Sequence, residues 1–256
     1  MRRCSSYVTL FALLIAAACG RGEPRESPPD VADTTGLAGS SDPAGHDHDP
    51  GIPSRAAEVD RDAGSKPQAV MDLLGIGPGD QVADIFAGSG YYTYLLSERV
   101  GAEGRVYAQG YSPGLAARVD HGDLAEAGNV VLVDSLSGLP DGTLDAALLI
   151  RSYHLFEDPT GLMAELRRSL VPDGRLAIVE VRLGEERGHD METHRMGEQT
   201  VIEELAAGGF ELVESSDLLH NPEDDHTGFW DERRHETDRM LLVFSPAPES
   251  TATGTP

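Results

Sequence analysis

The residues best placed to do chemistry are Asp84-Ile85-Phe86-Ala87-Gly88-Ser89-Gly90. Gly88 and Gly90 let the backbone pass close to a ligand and adopt angles a side chain would forbid. A helix beginning directly after them would present unpaired N–H groups and a partial positive charge, which suit a carboxylate or another anion. Asp84 could reach the same ligand or brace the turn. The pattern also describes a tight turn that binds nothing, because short motifs recur by chance.

Such a turn needs a strand before it and a helix after it. Residues 81–86 are mostly apolar and read as the strand, and residues 91–100 carry apolar positions at helical spacing. The alternation continues. Residues 66–74, 113–119, 159–170 and 198–207 read as helices. Residues 105–109, 129–133, 144–150, 176–181, 210–214 and 239–244 read as strands. The run 144–150 is nearly all apolar, as a strand covered on both faces must be. The order predicts an α/β fold with a doubly wound, mostly parallel sheet. Ligands of such sheets sit beyond the carboxyl ends of the strands, where the strand order switches.

Acidic residues outnumber basic ones 44 to 20 among 256 residues, a formal net charge of -24. That field repels nucleic acid and anionic membrane surfaces, so neither is expected as a partner. Residues 1–19 read as a targeting segment. Arg2-Arg3 precede an apolar run at 8–18 too short to span a bilayer, and Ala16-Ala17-Ala18-Cys19 is similar to a lipoprotein signal end. An ordinary cleaved secretory signal is the alternative. The reading implies export to the cell envelope, with membrane attachment only through a lipid on Cys19. Cys4 would leave with the signal, so no internal disulfide, catalytic thiol or thiolate metal site is expected. Residues 20–60 have the composition of a disordered linker, and 246–256 of a disordered tail. His46-Asp47-His48-Asp49 lies in that linker and reads as solvated. The folded domain is expected over 61–245.

The chain resembles the class I S-adenosylmethionine-dependent methyltransferases. The residues that carry the resemblance are 82–91, which match the family's acidic-x-Gly-x-Gly-x-Gly motif except at its first glycine. Leu74-Gly75-Ile76-Gly77-Pro78-Gly79-Asp80, Leu139-Pro140-Asp141-Gly142-Thr143-Leu144-Asp145, Val171-Pro172-Asp173-Gly174-Arg175-Leu176 and Ala206-Ala207-Gly208-Gly209-Phe210 extend it. Tyr153-His154, His194-Arg195, residues 218–225 and Thr237-Asp238-Arg239 are similar to one bacterial branch of the family. The resemblance implies a Rossmann-like seven-stranded sheet with an antiparallel last strand. It also implies S-adenosyl-L-methionine as cofactor and in-line transfer of its methyl group to a small-molecule acceptor.

By position, the resemblance implies that Asp84 and the backbone of Ala87, Gly88, Ser89 and Gly90 hold the methionine part. Asp134 would meet the adenine, with Ser135 beside it. Two positions depart from the family. Phe86 replaces the first glycine of the motif. Gly110 stands where an acid usually binds the ribose, leaving the neutral amide of Gln109 as the nearest substitute. The segment after the fourth strand should face the methyl group. His154 there is a candidate general base and Tyr153 a candidate for orienting the acceptor, although His154 could equally cap its loop. His189, Asp190, Glu192, His194 and Arg195 match no metal-binding spacing, so no metal is expected and a lid or acceptor-binding loop is the reading. Asp224-Asp225-His226 reads as a solvated acidic loop or a second lid. An exported protein meets little S-adenosylmethionine, so a catalytically inactive binding protein on this fold stands as the alternative.

Overall fold

The computed structural model describes residues 54–156, 158–228 and 236–248. The targeting segment, nearly all of the linker and most of the tail lie outside them. Three short helices come first: α1 (Arg55–Glu58), α2 (Arg61–Ser65) and α3 (Pro67–Leu73). Then follow β1 (Gln81–Gly88), α4 (Tyr91–Val100), β2 (Arg105–Tyr111), α5 (Pro113–His121), β3 (Val130–Val133), β4 (Leu144–Ile150), α6 (Thr160–Ser169) and β5 (Leu170–Val181). A small hairpin, β6 (His189–Asp190) with β7 (Arg195–Met196), precedes α7 (Glu198–Ala207), β8 (Phe210–Ser216) and β9 (Arg239–Pro246).

The main sheet has seven strands in the order β3-β2-β1-β4-β5-β9-β8. β1 pairs in parallel with β2 and β4, β2 with β3, and β4 with β5. β9 runs antiparallel to both β5 and β8. The expected mostly parallel Rossmann-like sheet with an antiparallel last strand is the one observed. The chain leaves β1 toward β3 on one side and resumes at β4 on the other, so the switch in strand order lies between β1 and β4.

Alternation along the strands divides the core. Val82 joins Val70, Met71, Leu95 and Leu96 of α3 and α4 on one face. Ala83 and Ile85 join Leu162, Leu166, Val201 and Leu205 of α6 and α7 on the other. The apolar β4 contributes Ala146 and Leu148 to the first cluster and Leu144, Ala147 and Leu149 to the second.

Three boundaries differ from expectation. Ordered structure begins by α1, inside the segment read as linker, because Glu58 is buried against Arg118 of α5 at 3.1 Å. β1 continues two residues past Phe86, through the glycine turn, and pairs Gly88 with Tyr111 across a register shift. Residues 171–175, between the expected helix and the expected strand at 176–181, belong to β5 and form an irregularity between its pairings to Leu144 and Ala146.

Candidate active site

The glycine turn lies at the switch point. Gly88 has φ +54° and Gly90, at the head of α4, has φ +86°. A side chain at Gly88 would meet nothing closer than 3.9 Å, so the turn is open to a ligand. At Gly90 an added Cβ would lie 2.5 Å from Leu115 Cδ1, so this glycine serves close packing of α5. Arg118 of α5, with no exposure, donates to the carbonyl of Ser89 at 3.1 Å and holds the turn from beneath.

Beside the turn is a cavity of about 190 Å³ lined by Arg61, Asp84, Phe86, Ala87, Gly88, Ser89, Tyr91, Tyr92, Ile150 and Arg151. It thus gathers Asp84, Ala87, Gly88 and Ser89 from the expected set. Asp84 is buried and accepts a 2.6 Å hydrogen bond from Thr93 Oγ1. Burial raises its pKa to about 6, against the opposing hydrogen bonds from Thr93. Arg61 stacks over the Tyr91 ring at 3.9 Å. Arg151, at the end of β4, has φ +56°. Arg61 and Arg151 were not anticipated, since they lie 90 residues apart and are joined only by the sheet. Burial of their rings raises the phenol pKa of both Tyr91 and Tyr92.

The remaining expected residues are more dispersed. Gln109 of β2 pairs with Ile85, and its buried Oε1 has no hydrogen-bond partner among the described residues. Gly110, φ +65°, sits against Phe86, where an added Cβ would lie 3.1 Å from Phe86 Cα. Phe86 itself has φ +57°, is 40% exposed, and meets Phe156 edge-on at 5.2 Å. The two departures from the family motif are therefore one local arrangement. Asp134 follows β3, is exposed, and accepts a 2.8 Å hydrogen bond from the Tyr111 hydroxyl. Ser135 is exposed and shares a hydrogen bond with Ser137.

A second group lies beyond the ends of β4 and β5. His154, in a 3₁₀ turn after β4, is 3% exposed. Its Nδ1 is 3.0 Å from Glu180 Oε2, and its backbone N–H donates to Glu180 Oε1 at 3.2 Å. Its Nε2 is 2.9 Å from Nδ1 of His194, in the turn of the β6–β7 hairpin. His194 has φ +56°. Tyr153, expected to orient the acceptor, is buried, and its hydroxyl donates to Glu204 of α7 at 2.8 Å, bracing the turn against the helix.

The acidic stretch after β8 is also not a solvated loop. Asp225 is exposed, but Asp224 is buried in a two-pronged pair with Arg195, at 2.9 and 3.3 Å, with neither side chain exposed. Asp224 Oδ2 also accepts the backbone N–H of Asp238 at 2.7 Å. Asp238 in turn receives His220 Nδ1 at 2.9 Å and His226 Nε2 at 3.1 Å. The branch residues seen in the sequence thus interlock over the end of β5.

Residues 83–178 match a family described as a methyltransferase domain. The ubiquinone/menaquinone biosynthesis C-methyltransferase UbiE of Teredinibacter turnerae is 30% identical over 115 residues, covering 43% of this chain and 46% of that protein. The chain thus spans about half the length of the curated relatives it matches. Among solved structures, a SAM-dependent methyltransferase from Aquifex aeolicus superposes with a TM-score of 0.55 at 22% identity, over 70% of this chain and 89% of that one. The [4+2]-cyclase SpnF superposes with a TM-score of 0.57 at 19% identity, over 73% and 82%. At these identities the likeness shows the fold, and the presence of a cyclase among the neighbours shows that this fold serves more than one reaction.

Proposed function

We propose that this chain, with its methyltransferase domain over residues 83–178, is an S-adenosylmethionine-dependent methyltransferase acting on a small molecule. The observation that carries the reading is the composition of the cavity beside the glycine turn. A buried carboxylate, Asp84, and two guanidinium groups, Arg61 and Arg151, line one small space with an open glycine backbone. Opposite charges lining one small space suit an ammonium and a carboxylate on one carbon, which is the amino-acid end of the cofactor. The cavity, about 190 Å³, is sized for that end rather than for a whole nucleoside derivative. Tyr111 and Asp134 offer hydrogen-bonding groups for the nucleoside end. The fit there is looser, because Gly110 carries no acid.

The bound cofactor supplies a methyl group on a positively charged sulfur, already activated toward a nucleophile. The protein's share is placement. Asp84 and the arginines fix the amino-acid end, and the histidine group past β4 and β5 faces the acceptor side. Holding both partners in one geometry supplies much of the rate of an in-line transfer. One curated relative is named a ubiquinone/menaquinone biosynthesis C-methyltransferase, and a small cyclic acceptor is the class consistent with it.

We also place the protein at the cell envelope. The support is the sequence of residues 1–19, and metabolic labelling with a radioactive fatty acid, lost in Cys19→Ala, tests it.

Calorimetric titration of the full chain with S-adenosylhomocysteine is the first experiment for the reading as a whole. Binding in the micromolar range is expected, and Asp84→Asn should weaken it about tenfold, the worth of one hydrogen bond to a charged group. Affinity should also fall as pH drops through about 6, because protonated Asp84 no longer pairs with an ammonium. Asp84→Asn should abolish that pH dependence. A folded protein that shows no binding at millimolar ligand would instead favour a fold used for another ligand.

A further inference from the structure

We infer that Phe86 and Phe156 form an aromatic wall that selects a planar, uncharged ring as the methyl acceptor. The inference rests on the methyltransferase reading. It makes Phe86, the departure from the glycine motif, a specificity-determining residue.

The wall stands where three strands end. Phe86 follows the buried part of β1, and β1 lies between β2 and β4. An added Cβ at Gly110 of β2 would lie 3.5 Å from Phe86 Cγ, so the root of the side chain rests against β2. The ring reaches toward the other neighbour and meets Phe156, beyond the end of β4, edge-on at 5.2 Å. It therefore crosses the switch in strand order, where ligands of such sheets sit.

Both rings are fixed in place. Phe156 packs against the core cluster that holds Tyr153, Leu162 and Met163. Phe86 is held at φ +57°, a conformation that side chains rarely adopt and that is concentrated at functional sites. A glycine would take that angle freely. The phenylalanine there is strained and still 40% exposed, on a chain whose net charge is -24. Burial in the fold does not offset that placement. Contact with an apolar ligand would.

The position relative to the cofactor points to the acceptor. Phe86 lines the cavity that Asp84, Arg61 and Arg151 share. In S-adenosylmethionine the methyl-bearing sulfur lies a short chain beyond the amino-acid end, so a side chain bordering that cavity borders the reacting centre. Tyr111 and Asp134, which offer hydrogen bonds to the nucleoside, belong to β2 and to the segment after β3. Phe156 lies on the opposite side of β1, beyond β4. A ring held by Phe86 and Phe156 thus approaches from the side that the nucleoside leaves free. Neither phenylalanine carries a charge or a hydrogen-bonding group, so the wall selects by shape and apolarity. Aromatic rings favour edge-to-face or offset contact with another flat ring.

The test is ligand-observed NMR on the full chain with two probes, the flat 1-naphthol and its saturated counterpart 1-decalol. Wild type, Phe86→Leu and Phe156→Leu are titrated with and without saturating S-adenosylhomocysteine. Leucine keeps an apolar side chain and removes the ring. The expected result is saturable binding of 1-naphthol in the millimolar range, about fivefold tighter than 1-decalol. Each leucine variant should bring that ratio to within about twofold. S-adenosylhomocysteine should not displace 1-naphthol. Equal affinity for the two probes in wild type, or a ratio that neither variant changes, overturns the wall. Displacement of 1-naphthol by S-adenosylhomocysteine would put the adenine against these rings and overturn the acceptor assignment. Should a leucine variant fail to fold, the wild-type ratio and the competition decide. Absence of S-adenosylhomocysteine binding in every form would count against the methyltransferase reading, while the ratios still decide the wall.

Discussion

Asp224→Ala should destabilise the protein by about 3–5 kcal/mol, the cost of stranding one member of a buried ion pair. Arg195 would remain with no exposed surface. Among the described residues it would face only the carbonyls of Arg182, Thr227 and Gly228, and the backbone N–H of Asp238 would lose its acceptor. For a domain of this size the unfolding midpoint should fall on the order of 10 °C. Thermal unfolding followed by circular dichroism measures it, and a fall of only one or two degrees would show that the pair is solvated in solution. Pairing the change with Arg195→Met should recover much of the loss, because the penalty comes from the orphaned charge.

The same pair predicts a pH signature. Burial alone would raise the Asp224 pKa, but the hydrogen bonds from Arg195 and from the Asp238 N–H outweigh it and hold the group below its ordinary value. Asp238 is likewise depressed, by the Asn221 N–H and the two histidines against the effect of burial. A depressed carboxylate stabilises the fold above its unfolded pKa of about 3.9 and loses that contribution as pH falls through the folded value. The difference between wild type and Asp224→Ala should therefore be full at neutral pH and shrink in acid below about pH 4.

Restoring the ribose acid should succeed only in company. Gly110→Asp alone places a Cβ 3.1 Å from Phe86 Cα, so the backbone of β1 must give way. We expect a loss of about 1 kcal/mol in stability and no gain in S-adenosylhomocysteine affinity. Phe86→Gly removes the bulky side chain held at φ +57° and lets the backbone there give way more readily to the new Cβ, at the cost of the contact with Phe156. The double variant should bind about tenfold tighter than wild type, through hydrogen bonds to a carboxylate. The coupling between the two changes should be about 1–3 kcal/mol, as for residues in contact. Calorimetry on the four proteins measures it. Additive effects would show that Phe86 and Gly110 are independent departures.

Much of the architecture was legible in local pattern. The apolar run of β4 announced a strand covered on both faces, and the glycines at 88 and 90 marked the turn at the switch point. The site was less legible, because its cations arrive from elements far apart in the chain. Nothing near Arg61 or Arg151 in sequence says that they share a cavity with Asp84. The β6–β7 hairpin, with two residues in each strand, is too short to show alternation, so His194 read as part of a loop. Asp224 looked like its solvated neighbour Asp225, because its partner Arg195 is 29 residues away. One signal was readable and passed over: Glu180, a lone charge inside a buried apolar strand. Adjacency did not show that Tyr153 and His154 meet different neighbours, Glu204 and Glu180, because successive residues of that turn point apart.

The place of β9 in the sheet bears on how the protein is made. β9 (Arg239–Pro246), the last of the sheet's seven strands in chain order, lies between β5 and β8, so it is an interior strand. Until it arrives, β5 has an open edge and β8 has no strand partner. The buried row Met240, Leu241, Leu242, Val243 and Phe244 enters the core only at that moment. A nascent chain that stops short of residue 239 cannot close the sheet and exposes pairing edges to aggregation. Closure of the sheet is thus postponed until β9 has been made, long after the strands on which the glycine turn stands.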